Sequence, residues 1–333
     1  MKQPDDDDDD DTYDVVEKRV LSLQSHVVHG YVGNKAAVFP LQLLGFEVDV
    51  VNTVQFSNHT GYSSWGGKKM DGEELCALMD GLDANSLLDS YTHLLTGYAG
   101  SESFLKTIVS VAKRLKAKCS DLLYICDPVM GDNDKLYVPK ELVKIYSEEV
   151  VPLANILLPN QFESEMLTGM KIRTQEDALK VCEKLHDRGP SIVVITSLTL
   201  KESKDKSIVM ILSHRDKDHR NAYAIRVPRI DGYFTGTGDL TASLMLGYLG
   251  KGYSSKRALE MTASSVHAVL KRTSRHEAKL AKIAIETCRP RTRRPSRTIP
   301  PPELRLIQSQ KELRSPPSLL HAELIYTNDD RKS

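Results

Sequence analysis

Long apolar runs are missing from this chain, and no stretch of its 333 residues is apolar for long enough to span a membrane as a helix. Paired cysteines are missing as well. Cys76, Cys119, Cys126, Cys182 and Cys288 are odd in number, widely spaced and without a C-x-x-C, so neither a disulfide framework nor a zinc site is indicated. A reducing, cytoplasmic setting is expected. Net charge is absent: 45 basic residues balance 45 acidic ones, and nothing global points to nucleic acid or a membrane surface as partner. A basic, apolar leader is absent too. The chain opens Met-Lys-Gln-Pro and runs into seven aspartates, the opposite of a signal or transit peptide. No segment repeats internally.

What is present allows one large α/β domain or two smaller ones, and an apolar fraction of 40% suffices for a sizeable core. The aspartate block at 5–11 is one run of like charge, so residues 1–18 are expected to form a disordered arm, with order beginning near Arg19. Residues 20–25 read as a buried strand, followed by a polar loop and a helix at 35–44, the opening unit of an α/β sheet. Strands are expected at 46–54, 92–97, 122–126, 155–158 and 191–197. Helices are expected at 73–83, at 101–118 with Ser101 as cap, at 139–149 with Pro139 at its start, from Asn160 onward and at 175–188. The uninterrupted apolar run at 122–126 suits a parallel sheet covered on both faces. The rhythm then changes to an antiparallel hairpin, 207–213 with 222–227. Two helices follow, at 240–249 and 255–284, then a basic, Pro-rich segment at 289–300 and a candidate edge strand at 303–308.

Four local patterns are set aside. Gly61 to Lys68 misses the phosphate-loop spacing by one and has no Ser or Thr after the lysine. His214-Arg-Asp with Asn221 matches a protein-kinase catalytic loop, but no Asp-Phe-Gly follows and a polar hairpin tip explains it. His26 and His29 lack a third ligand nearby. The glycosylation acceptor at 58–60 has no meaning in a cytoplasmic chain.

The stretch at 233–240, Tyr-Phe-Thr-Gly-Thr-Gly-Asp-Leu, is different. Gly236 and Gly238 let the backbone approach a ligand, and they precede a helix whose free N–H groups favour an anion. Asp239 stands beside that position. A carboxylate there suits a proton acceptor in phosphoryl transfer; the alternative is a helix cap behind a glycine turn. Further polar groups end the other strands: Ser25-His26, Asp127 with Asp132, Asn160 with Glu163, and Thr196-Ser197. Asn160 and Glu163 share a helix face, and with the two aspartates they make an oxygen-rich group suited to magnesium and phosphates.

These stretches resemble the pyridoxal kinases, a branch of the ribokinase-like superfamily. The resemblance rests on Ser-Leu-Gln-Ser-His-Val-Val-His-Gly-Tyr-Val-Gly-Asn (22–34), Asn-Thr-Val-Gln-Phe-Ser-Asn-His-Thr-Gly-Tyr (52–62), Leu-Thr-Gly-Tyr (95–98), Cys-Asp-Pro-Val-Met-Gly-Asp (126–132), Tyr-Val-Pro (137–139), Pro-Asn-Gln-Phe-Glu (159–163), Val-Ile-Thr-Ser (194–197) and Gly-Thr-Gly-Asp (236–239). The segment from Glu303 to Leu313 resembles the family's tail.

The resemblance implies an α/β/α sandwich with a mostly parallel sheet and an antiparallel edge, formed by one catalytic domain over 19–325 with a tail at 326–333. It implies ATP-dependent phosphorylation of the 5′-hydroxyl of pyridoxal, pyridoxine or pyridoxamine by a cytoplasmic homodimer. It makes Asp239 the base and places Ser25, Thr60, Val32 and Tyr98 around the vitamer. Asp132, Tyr137, Asn160, Glu163, Thr196, Ser197, Ile230, Asp231, Gly232, Gly236, Thr237 and Gly238 fall to ATP, with Asp132 and Glu163 on Mg2+. Asp127 and Thr196 fall to a monovalent cation, K+ or Na+. Alternatives are a kinase for another alcohol such as hydroxymethylpyrimidine, or an idle vitamer sensor. Two departures stand out: Leu158 replaces the threonine often found before Pro-Asn, and the loop at 133–136 is shorter than in vertebrate members.

Overall fold

The computed structural model describes residues 17–200, 207–217, 219–287 and 301–328. The aspartate block, the basic segment at 289–300 and residues 329–333 of the expected tail lie outside the described residues.

The chain begins with β1 (Arg19–Val27), α1 (Asn34–Leu43) and β2 (Glu47–Phe56), the expected opening unit. It continues through β3 (Gly67–Lys69), α2 (Gly72–Ala84), β4 (His93–Thr96), α3 (Glu102–Lys118) and β5 (Leu123–Cys126). A small flap, β6 (Gly131–Asp132) and β7 (Lys135–Leu136), precedes α4 (Glu141–Ile145), β8 (Ile156–Leu157), α5 (Gln161–Thr168), α6 (Gln175–His186) and β9 (Ile192–Leu198). The hairpin of β10 (Ile208–Asp216) and β11 (His219–Val227) leads to α7 (Thr237–Gly250), α8 (Ser255–Thr287), α9 (Gln310–Arg314) and β12 (Glu323–Thr327).

One ten-stranded sheet runs in the order β12-β11-β10-β9-β8-β5-β4-β1-β2-β3. The strands from β2 to β9 in that row are parallel. Antiparallel pairs close both ends: β3 on β2, and β10 to β12 beyond β9. Alternation of side chains explains the three layers. Leu21 and Leu23 of β1, with Val193 and Ile195 of β9, join an apolar cluster under α2 to α6. Their neighbours Val20, Ile192 and Val194 join a second cluster under α1, α7, α8 and α9. Every residue of α7 from Leu240 to Tyr248 is buried, as expected of a helix without a polar face. Ser101 caps α3, its hydroxyl accepting from the Phe104 N–H.

Two expectations are corrected. The helix expected over 139–149 is α-helical only to Ile145; a wider turn follows at Tyr146–Val150 and a tighter one at Val151–Leu153. Residues 303–308 are not the edge strand. Leu304 and Leu306 turn into the core instead of pairing along an edge, and Ile307–Ser309 already coils. The edge strand is β12, which crosses the expected boundary at 325: Tyr326 pairs with Ala222 and Thr327 with Asn221. The protein-kinase-like segment is a hairpin tip, with His214 opposite Asn221.

Removing residues 323–333 would leave the outer edge of β11 unpaired and strip the Tyr326 ring from Arg220, whose guanidinium lies 4.8 Å from its centroid. The melting midpoint should fall by several degrees, since about 1 kcal/mol moves it by roughly 2–4 °C in larger domains. Calorimetry showing an unchanged midpoint would mean that β12 adds no stability.

Candidate active site

The polar clusters end parallel strands at one edge of the sheet, where open α/β sheets bind ligands. Near the end of β1 the register against β2 slips by one residue between Gln24 and His26, so β2 carries an extra residue opposite Ser25. Such a bulge re-aims the side chains beside it. The loop after β1 then turns back over Ser25. Gly33 has φ +54°, and a Cβ there would lie 1.9 Å from the Ser25 carbonyl oxygen, so the approach depends on glycine.

Gly236 stands at the N-terminus of α7 in a left-handed conformation, and no side chain caps the helix there. A Cβ on Gly236 would sit 2.1 Å from the Tyr31 carbonyl oxygen. The first turn of α7 therefore presents its free N–H groups, a ready anion site. Asp239 lies in that turn, and its Oδ2 accepts from the Gly33 N–H at 2.7 Å. Asp239 is thus not the helix cap. It is tied across the molecule to the loop over Ser25.

Asp127 follows β5 and is 6% exposed. Its Oδ2 would lie 3.2 Å from a Cβ on Gly238, so it abuts the same turn. Burial, then the charges of Glu163 and Asp239, push its pKa well above the usual carboxylate range. Burial raises Glu163 to about 7, against the opposing N–H groups of Asn160, Met130 and Gly131. Burial also raises Asp239, opposed by the Gly33 N–H. Among the described residues no lysine or arginine figures in the groups that shift these carboxylates. Buried carboxylates without basic neighbours fit a divalent cation. Among the described residues no three His, Cys, Asp or Glu side chains converge to hold a metal alone. Such a cation would therefore draw part of its shell from phosphate and water, as magnesium does with nucleotides.

Asn160 and Glu163 form a reciprocal cap on α5. Glu163 Oε1 accepts from the Met130 N–H at 2.9 Å, its Oε2 accepts from Asn160 N–H at 2.9 Å, and Asn160 Nδ2 donates to the Gly131 carbonyl at 2.7 Å. The pair therefore locks the turn after Asp127 in place. Asp132 opens the flap, and both its oxygens accept from Asn133. Asn133 and Asp134 have φ +49° and +59°, the two left-handed residues of a tight hairpin turn. Tyr137 is exposed at the flap's base.

Ser25, Asp127, Asp239 and the 236–238 turn are thus brought together, with Asn160 and Glu163 behind them. Thr196 joins through Pro159, whose carbonyl accepts from the Thr196 N–H at 2.9 Å. The side chains of Thr60, Tyr98, Ser197 and residues 230–232 make no hydrogen bond or ion pair with those carboxylates among the described residues. Thr60 is exposed, Val32 half-buried, and Tyr98 offers its carbonyl to the Thr53 hydroxyl at 3.0 Å. Sequence reasoning gave no role to His59, Tyr62, Thr235 or Glu303. His59 Nε2 lies 3.0 Å from Thr235 Oγ1 and 3.3 Å from Glu303 Oε1. Only the resemblance to the family tail marked Glu303, because its partners are far away in sequence.

A helix N-terminus that attracts an anion, beside a carboxylate that can take a proton, serves phosphoryl transfer to a hydroxyl. On this parallel sheet it defines a ribokinase-like kinase. A family model described as phosphomethylpyrimidine kinase matches residues 94–283. The pyridoxal kinase of Arabidopsis thaliana is 48% identical over 310 residues, covering 92% of this chain and 94% of that protein. The pyridoxal kinase of Bos taurus is 46% identical over 321 residues, covering 93% and 99%. A solved pyridoxal kinase from Leishmania donovani in complex with ADP and pyridoxamine superposes with a TM-score of 0.81 at 32% identity, covering 93% of this chain and all of that one. The chain belongs to the pyridoxal kinase family.

Gly33→Ala should stay soluble and lose most of its turnover, because the Cβ collision with Ser25 shifts the N–H that holds Asp239. A displacement of about 1 Å can cost roughly 10²-fold in rate. Steady-state turnover near that of the unaltered protein would refute the close packing.

Glu163 also sets a pH dependence. Its folded pKa, about 7, lies above the ordinary carboxylate value, so the folded state holds the extra proton. That contribution to stability is complete below about pH 4.3 and is lost as pH rises through 7. Without nucleotide, melting midpoints should fall from pH 5.5 to 7.5, and less steeply in Glu163→Gln. Parallel slopes would remove Glu163 as the source.

Proposed function

We propose that the chain transfers the γ-phosphoryl group of ATP to the 5′-hydroxyl of pyridoxal, pyridoxine or pyridoxamine. The observation that carries this reading is Asp239, held by the Gly33 N–H at the open N-terminus of α7. Ser25 and Thr60 hold the polar groups of the vitamer's ring, with Val32 and Tyr98 packing near it. Asp239 takes the hydroxyl proton as the oxygen attacks the γ-phosphorus. The bond to the bridging oxygen breaks and ADP leaves. Burial raises the basicity of Asp239, which suits that task. The N–H groups of Thr237 and Gly238 receive the phosphate charge. Asn160, Thr196 and Ser197 serve the phosphates, and Tyr137 and residues 230–232 flank the base.

A divalent cation, magnesium in this reading, would be held by Asp132 and Glu163 and would neutralise phosphate charge. Asp127 and Thr196 would take a monovalent cation, potassium or sodium. Leu158 is 2% exposed within the apolar cluster under α7, and its side chain offers no oxygen, so the monovalent site would have one donor fewer and bind more weakly. The cytoplasm and a homodimer complete the proposal.

The match of residues 94–283 to a phosphomethylpyrimidine kinase model favours a second reading, a hydroxymethylpyrimidine kinase. It is the weaker one. That match leaves out residues 52–62, whereas pyridoxal kinases align over 92–93% of the chain. A coupled assay with pyridoxal and with hydroxymethylpyrimidine separates the two. In the same assay Asp239→Asn should lower kcat by about 10²–10⁴ with pyridoxal affinity little changed. Turnover within a few-fold of the unaltered protein would sink the assignment of the base.

A further inference from the structure

Glu303 lies on the extended segment before α9, far along the chain from every loop it touches. Its Oε2 accepts from the Tyr31 N–H at 2.9 Å. Its Oε1 accepts from the Tyr62 hydroxyl at 2.9 Å and lies 3.3 Å from His59 Nε2. Gly30, at φ +95°, makes room: a Cβ there would fall 2.3 Å from the carboxylate. Burial would raise the pKa of Glu303, but His59, the Tyr31 N–H and Tyr62 together hold it below the usual value. The segment itself is fixed. Leu304 and Leu306 are buried, and the Arg305 N–H donates to Thr273 Oγ1 at 3.1 Å.

Each partner leads to the reaction centre within a few atoms. Tyr31 has its carbonyl packed against Gly236, and two residues on, the Gly33 N–H holds Asp239. His59 Nδ1 accepts from the Gly61 N–H at 3.1 Å, which places the ring proton on Nε2, between Glu303 and Thr235. Thr60 stands between His59 and Gly61, and Thr235 directly precedes Gly236.

We propose that Glu303 is a positioning residue for phosphoryl transfer: its carboxylate fixes the Thr60 loop and the Asp239-holding loop in one frame. The proposal rests on the kinase reading above. A carboxylate is suited to this because it only accepts, and donors meet it from two sides. An amide of the same shape offers one acceptor and one donor, so with its oxygen on the Tyr31 N–H it turns its NH2 toward the His59 ring proton and weakens the hold on the Thr60 loop. Tyr62 and Glu303 also border a cavity of about 390 Å³, so a change there can relax without breaking the core.

The test compares the full-length protein with Glu303→Gln, Tyr62→Phe, the double variant and Glu312→Gln. Glu312, on the same C-terminal segment, pairs with Arg272 and shares none of the partners of Glu303, so it controls for lost stability. Glu303→Gln should lower kcat by roughly 10–10²-fold, the scale of a misplacement near 1 Å, with KM for ATP little changed. It should also release more ADP per pyridoxal phosphorylated. Tyr62→Phe should cost a few-fold alone and nothing further in the Glu303→Gln background, since the hydroxyl acts through that carboxylate. Glu312→Gln should lower the melting midpoint and keep kcat. Glu303→Gln with an unchanged kcat and one ADP per product would overturn the proposal. So would fully additive effects of the two substitutions, or a rate loss in Glu312→Gln matching that of Glu303→Gln. An unaltered protein that phosphorylates no vitamer would instead overturn the kinase reading.

Discussion

Asp127, Glu163 and Asp239 are carboxylates buried at one edge of a parallel sheet, where Glu163 and Asp239 add to the cost of ionising Asp127 and, among the described residues, no basic side chain figures in the groups that shift the three. Desolvated like charges are unfavourable, and a fold keeps them only where something positive arrives or a proton is to be taken. The helix N-terminus of α7 supplies part of the positive potential. A nucleotide with its divalent cation would supply the rest. The surrounding architecture holds acidic groups against an anion-binding turn until that charge is delivered.

Rigid elements set the positions and glycines set the distances. Asp127 is fixed by β5, and Glu163 by its reciprocal cap with Asn160 on α5. Asp239 is fixed by α7, whose flanks are buried on all sides. The loops between these elements approach one another more closely than a Cβ allows, at Gly33 over Ser25 and at Gly236 under Tyr31. The residues proposed to contact substrate thus sit on loops, but loops pinned to the scaffold by backbone hydrogen bonds and by the Glu303 carboxylate.

The Asn160–Glu163 pair shows how a structural and a chemical role coexist. Oε1 of Glu163 is engaged by the Met130 and Gly131 N–H groups of the turn that follows Asp127, and Oε2 by the Asn160 N–H of its own cap. The cap therefore determines where the turn at 130–132 lies, and through it the start of the flap. Spacing alone located the pair on one helix face. That the same face holds a distant turn emerged only from its partners.

Much of the frame was legible in the sequence, because the signals are local. Alternating and continuous apolar runs marked the strands, Ser101 marked the start of α3, and the glycines at 236 and 238 marked the anion-binding end of α7. Each depends on residues within a turn or two of one another. The sequence could not show that Leu304 and Leu306 turn inward while 323–327 forms the edge strand, since Glu303-Leu-Arg-Leu306 alternates as an edge strand would. It could not show that Asp239 meets Gly33, 206 positions away, or that Glu303 meets Tyr31, 272 positions away. Nor could it show which carboxylates are desolvated. Burial and long-range hydrogen bonding arise from the packed chain, so only the tertiary structure decided them.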